Sequence, residues 1–199
     1  MAAHRIPVVL TTAGAAGNNE DVVGDNVSVV NAMNRSLVGT DDIAPNALRS
    51  YFVDFYITQA LDGGFAQYAF MAPDRAELDR WVREGLAAMG AAAHLELFDR
   101  CAGLYDRIAE DELEGFLGDG AGSLRSDGAA AMDDLDAEFE DLFEDEDVTG
   151  LNAAWLRGQP CLLVLDEPGL AAHIAERAAG ILDLEERRDA GDSSGAALP

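Results

Sequence analysis

Lysine is missing from this chain. All 13 of its basic residues are arginine, set against 38 acids, and the net charge is −25. A chain so short of bases is not built to hold nucleic acid, because phosphate binding needs clustered Lys or Arg. It is also repelled by anionic membrane surfaces. Cysteine is scarce as well. Cys101 and Cys161 make neither a disulfide framework nor a Cys-x-x-Cys spacing, which is the pattern of reduced thiols in a cytoplasm, the expected location. No apolar run approaches the ~20 residues that a membrane-spanning helix needs. The N-terminal run Ile6 to Leu10 is too short for a signal peptide and contains Pro7.

The motifs of common chemistries are missing too. His4, His94 and His173 are the only histidines, and none lies in His-Glu-x-x-His or Glu-x-x-His. There is no Gly-x-Ser-x-Gly elbow, no phosphate-binding P-loop and no Gly-x-Gly-x-x-Gly. The acidic segments lack the glycine that a calcium loop places at its sixth position. No metal, cofactor or catalytic residue is therefore expected, and the chain reads as a non-enzyme. His94 and Cys101 are seven residues apart, so two helical turns separate their backbones by ~10 Å. Cys101 reads as core and His94 as a residue at the core boundary. Asp54 lies inside an aromatic helix, either facing out or as a paired buried acid.

What the chain does have is one dense aromatic stretch. Tyr51 to Ala72 holds three of the four tyrosines and four of the eight phenylalanines. Pro45 suits the first position of a helix. Leu48, Phe52, Phe55, Tyr56 and Leu61 follow as one apolar stripe. Asp62-Gly63-Gly64 ends that helix, Phe65 to Met71 form a second, and Pro73 closes it. Gly63 and Gly64 allow a sharp corner, Phe65 seals the core, and Gln67 is placed to bond backbone groups freed there.

Elsewhere the pattern gives an extended piece at Ile6 to Leu10, a Gly/Asn loop, and a helix over 26–37. Asp74 and Glu77 have the form of a capping box, and Gly90 stops the helix that follows. A long helix is expected from Ala91 to Leu117, then a connector over 118–128. A short helix at Leu151 to Leu156, a strand at Cys161 to Leu165 and a last helix capped by Asp166 complete the reading. The expected fold is mainly α: a single compact helical domain of six to eight helices with at most a short strand pair. Residues 1–44 form an N-terminal arm, 45–182 the helical domain and 183–199 a flexible tail.

Charge is concentrated in one region. Residues 110–148 carry 16 acids and a single Arg, and ten of the fifteen positions from 133 to 147 are acidic. These are Asp133, Asp134, Asp136, Glu138, Glu140, Asp141, Glu144, Asp145, Glu146 and Asp147. Met132, Leu135, Phe139, Leu142 and Phe143 keep a helical stripe between them, so one face docks while the others present carboxylates. As a helix the run carries about one carboxylate per ~2 Å of axis, comparable with duplex DNA at one charge per ~1.7 Å. Such a surface fits the basic groove of a DNA-binding protein. The alternative is a solvated helix face that serves solubility.

Tyr56-x-x-Gln59-Ala-Leu-Asp62-Gly63-Gly64-Phe65-x-Gln67-Tyr68 resembles the glycine-pair motif of a bacterial family of acidic, mostly helical DNA-mimic proteins. Leu86 to Ala91 and Leu135-Asp136-x-x-Phe139 resemble two further segments of that family. The likeness covers roughly residues 45–182, with Asp62 standing where the family has Asn. It implies a helical fold, a structural role for Gln59, Asp62, Gly63, Gly64, Phe65 and Gln67, and a basic partner such as a transcriptional regulator that the protein blocks from DNA. Two other readings stay open. One is a small-ligand pocket or enzyme site at the corner, using Tyr56, Gln59 and Gln67. The other is an immunity or antitoxin-type partner. The oligomeric state is not legible in the sequence.

Overall fold

The computed structural model describes residues 6–72, 74–108 and 127–180. The fold is mainly helical, with eight α-helices and one two-stranded sheet among these residues. The chain divides into two compact units. Residues 1–54 and 149–199 form the first, and 55–148 the second. Pro73, residues 118–126 of the expected connector and the expected tail lie outside the described residues, while Asp127 and Gly128, the connector's expected end, are already helical.

In the first unit, β1 (Val8–Thr11) pairs in parallel with β2 (Leu162–Leu165), with Val8 opposite Leu162 and Thr11 opposite Leu165. The expected Gly/Asn loop is instead helical. Thr11 caps the short α1 (Thr12–Ala16), and α2 (Asn19–Arg35) begins seven residues before the apolar spacing places it. The cause is a reciprocal capping box. Asn18 accepts from the Asp21 N–H, and Asp21 accepts from the Asn18 N–H. Gly-Asn-Asn-Glu-Asp reads as a turn by composition, but here it starts a helix whose Val22, Val23, Val29, Val30 and Met33 are buried.

The first turns of α3 (Pro45–Met71) and most of α7 (Val148–Arg157) pack in this unit. Asn26 donates to the Ala47 carbonyl at 3.0 Å, and Arg157 reaches the Gly17 carbonyl at 2.7 Å. The last helix, α8 (Glu167–Ala179), is capped by Asp166 as expected, with Pro168 in its first turn.

The second unit holds the rest of α3 with α4 (Arg75–Met89), α5 (Ala92–Tyr105) and α6 (Asp127–Asp145). Asp74 caps α4, and Gly90 ends it at φ +82°. α5 is shorter than expected. It ends at Tyr105, with a turn over Asp106 and Arg107, although Ile108 continues the apolar spacing. Tyr56, Phe65, Tyr68 and Phe98 fill the centre of the unit, each at most 1% exposed. The Tyr56 ring meets those of Phe98, Tyr68 and Phe139 edge-on, with centroids 4.8, 5.3 and 5.8 Å away. Edge-to-face packing at these separations adds to the burial of the rings. Leu61, placed by its spacing on the buried stripe, is 50% exposed, because at 3.6 residues per turn it falls on the side of the helix opposite Leu48, Phe52 and Tyr56.

Candidate functional site

α3 is bent at Gly63-Gly64. Gly63 takes φ −160° and ψ 31°, Gly64 φ +72° and ψ −173°. The second conformation is open to glycine almost alone. Beyond the bend the Phe65 N–H is free of the preceding turn, and it donates to Asp136 Oδ1 at 2.9 Å. Asp136 belongs to α6. The Leu-Asp-x-x-Phe segment therefore meets the glycine corner directly. Asp136 takes the freed N–H, and Phe139, one turn on, packs on Tyr56. Gln67 does not bond freed backbone, as its position suggests. Its amide reaches Gln59 Oε1 at 3.4 Å, side chain to side chain across the bend. Asp62 is exposed. With the rings of Tyr56, Phe65 and Tyr68 filling the space behind the bend, its geometry is that of a packed corner.

α6 is amphipathic, as its stripe requires. Met132, Leu135 and Phe139 are buried, while Asp133, Asp134, Glu138, Glu140, Asp141, Glu144 and Asp145 are exposed. Asp147, just past the helix, is exposed too. The ten acids nevertheless have different duties. Asp136 is half-buried at the corner. Glu138 forms a two-pronged ion pair with Arg100 of α5, at 2.5 and 2.7 Å. Glu146 turns back to the start of α5. There it accepts from the backbone N–H groups of Ala93 and His94, at 3.3 and 3.0 Å, and lies 2.6 Å from His94 Nδ1. It thus caps a helix whose own N-cap, Ala91, has no side-chain oxygen to offer.

His94 is consequently fully buried, not a boundary residue, with its ring edge-on to Phe139. The only signal for these roles is angular. At 3.6 residues per turn, Asp136 falls on the packed arc beside Met132 and Phe139, whereas Glu146 lies past the last helical residue. Cys101 is buried as expected, and burial, with Asp136 nearby, pushes its thiol up to about 12.

A second buried acid, Asp79 of α4, accepts from the Tyr68 hydroxyl at 2.9 Å, with Arg75 and Arg83 4.0 and 3.6 Å from its other oxygen. Burial holds its carboxyl above the ordinary 3.8, while the Tyr68 bond and the two guanidiniums pull it down. Tyr68→Phe removes the hydrogen bond and leaves the acid buried. We expect a loss of about 1–2 kcal/mol in urea unfolding and a further rise of the Asp79 carboxyl in an NMR titration.

Burial also raises Asp54 and Asp136, the latter helped by Asp133 and Glu140 and opposed by the Phe65 N–H. Two acids move the other way. The Arg100 bond lowers Glu138, and the bonds from His94 and Ala93 to Glu146 outweigh its partial burial. For the raised group the native state holds more protons than the unfolded chain, so stability rises as pH falls toward the unfolded value. For the lowered pair, stability is present above their unfolded values and is lost as pH falls through the folded ones. Urea midpoints are therefore expected to increase as pH falls from 7 toward about pH 4 and to fall below it. A monotonic decline from pH 7 downward contradicts this balance.

Fold and site together define a mainly helical protein that presents one carboxylate-lined helix on an aromatic core. The family model for DMP19-like proteins matches residues 41–159, and the chain belongs to that DNA-mimic family. No curated protein and no solved structure matches it. Among the described residues, no helix is long and apolar enough to cross a membrane.

Proposed function

We propose that the chain is a DNA mimic whose helix α6 occupies the DNA-binding surface of a basic protein, such as a transcriptional regulator, and keeps it from DNA. The observation that carries this reading is the outer arc of α6. Asp133, Asp134, Glu140, Asp141, Glu144 and Asp145 are exposed there and have no ion-pair partner among the described residues. With Asp136, Glu138 and Glu146 engaged internally, these six span roughly 18 Å, about one charge per 3 Å of axis. That is below the density of a whole duplex and close to the 3.4 Å spacing of charge along one of its strands. On a helical wheel, Asp133, Glu140 and Glu144 form one row and Asp134, Asp141 and Asp145 a second, about 100° around the axis. Family membership supports the same reading.

Competition tests it. A basic partner held on this arc is retained at low salt, released as salt rises, and displaced by duplex DNA carrying the partner's own site. Retention that ignores both salt and DNA rejects the proposal.

A further inference from the structure

One cavity in the first unit is lined by no acid among the described residues. It has a volume of about 510 Å³, and among the described residues Arg49 is the one charged side chain that lines it. Its volume lies within the ~300–1,000 Å³ of small-molecule clefts. Ile6, Val8, Pro45 and Pro160 supply apolar walls. Asn46 and Gln159 supply polar ones, joined in a directed chain of hydrogen bonds. Arg49 Nη1 donates to Asn46 Oδ1 at 2.7 Å, Asn46 Nδ2 to Gln159 Oε1 at 2.5 Å, and Gln159 Nε2 to the Trp155 carbonyl at 2.9 Å. This chain fixes the guanidinium at the cavity instead of leaving it to swing into solvent. Pro45 also opens α3, so the positive end of that helix, which runs unbroken to the bend at Gly63, adds to the field of Arg49.

Ile6, Val8, Pro160 and Cys161 all lie outside the 41–159 family match. The cavity is thus built partly from segments that flank the family domain.

We propose that this cavity binds a small organic carboxylate, with its anionic end at Arg49 and its apolar body against Ile6, Val8 and Pro160. A single cation between apolar walls suits a monoanion with a hydrocarbon body better than a phosphate, which calls for several positive donors.

Cys161 reports on the site. It is exposed and lines the cavity, whereas Cys101, the other thiol of the chain, is buried. The test compares alkylation of Cys161 by iodoacetate, an anion, and by neutral iodoacetamide at low ionic strength. The control is an unstructured peptide of residues 157–165. Despite the net charge of −25, the iodoacetate-to-iodoacetamide rate ratio is expected to exceed that of the peptide severalfold. Arg49→Lys retains the excess, and Arg49→Met removes it. Millimolar benzoate is expected to slow iodoacetamide labelling severalfold in the native protein and in Arg49→Lys, and neutral benzamide to slow it far less. A rate ratio at or below that of the peptide overturns the proposal. So does benzoate without effect on the native protein, or equal protection by benzamide. The last two readings need no variant, so they decide the matter even if Arg49→Met fails to fold.

Discussion

Gly64→Ala is expected to lower stability by about 3–5 kcal/mol, a melting-point drop on the order of 10 °C for a chain of this length. Two costs combine. A φ of +72° with ψ near 180° is strained for any L-residue. A Cβ at this position would also lie 2.1 Å from Asp136 Oδ2 and 2.6 Å from its Cγ. Asp136 must then move, and the buried Phe65 N–H loses its acceptor. Gly63→Ala is the matched control. Its φ of −160° is ordinary extended backbone, and the added Cβ meets Gln67 Cβ at 3.0 Å and Cγ at 3.3 Å, a tight contact that a shift of a few tenths of an ångström relieves. We expect about 1 kcal/mol or less there. Because the clash at residue 64 acts through Asp136, substitutions at these two positions are not additive. Asp136→Ala in the Gly64→Ala background is expected to cost well under its cost alone, since the clash has already displaced the carboxylate. Urea unfolding of the four variants beside the native protein checks all of this. A Gly64→Ala variant within 0.5 kcal/mol of the native protein removes the corner from its place as the organiser of the second unit.

The corner also shows how far the sequence can be read. Gly63-Gly64 announces a bend, since few residues other than glycine tolerate such backbone. The aromatic spacing on either side announces two buried helical pieces. Neither tells what faces the bend. Asp136 is 71 residues from Phe65, and nothing local in Leu-Asp-x-x-Phe distinguishes an acid that caps another helix from one in solvent. The same limit explains Glu146 and His94. An acid at the end of an acidic run reads as surface, yet the start of α5 lacks a capping side chain and takes this one. The missed start of α2 is a local failure of another kind. Asn18 and Asp21 form a capping box, but composition alone makes their neighbourhood look like a loop. Helical stripes were legible because burial repeats with the helix. Long-range caps and the parallel pairing of β1 with β2 were not, because they depend on which segments meet.

Charge reversal on the outer arc of α6 should abolish partner binding and leave the fold intact. The variant that carries the argument changes Asp134, Glu140, Asp141 and Glu144 to Arg. All four are exposed, and none has an ion-pair partner among the described residues. Removing like charges from one helix face relieves repulsion, so unfolding free energy is expected to stay within about 0.5 kcal/mol of the native value or to rise. Binding behaves differently. Four attractions become four repulsions across the interface, and at low salt the affinity for a basic partner is expected to fall at least ~100-fold. The salt dependence of what remains should flatten or invert. Asp136→Ala and Glu146→Ala supply the opposite pattern. Each removes one acid of the same run but also strips a helix start of its acceptor, at about 1–3 kcal/mol. Those two should lose stability while their folded fraction still binds. Binding that survives the fourfold reversal would show that the acidic arc is a solvated face and would place any working surface elsewhere. If the internal acids prove the more costly for binding of folded protein, the division drawn between scaffold and surface carboxylates is reversed.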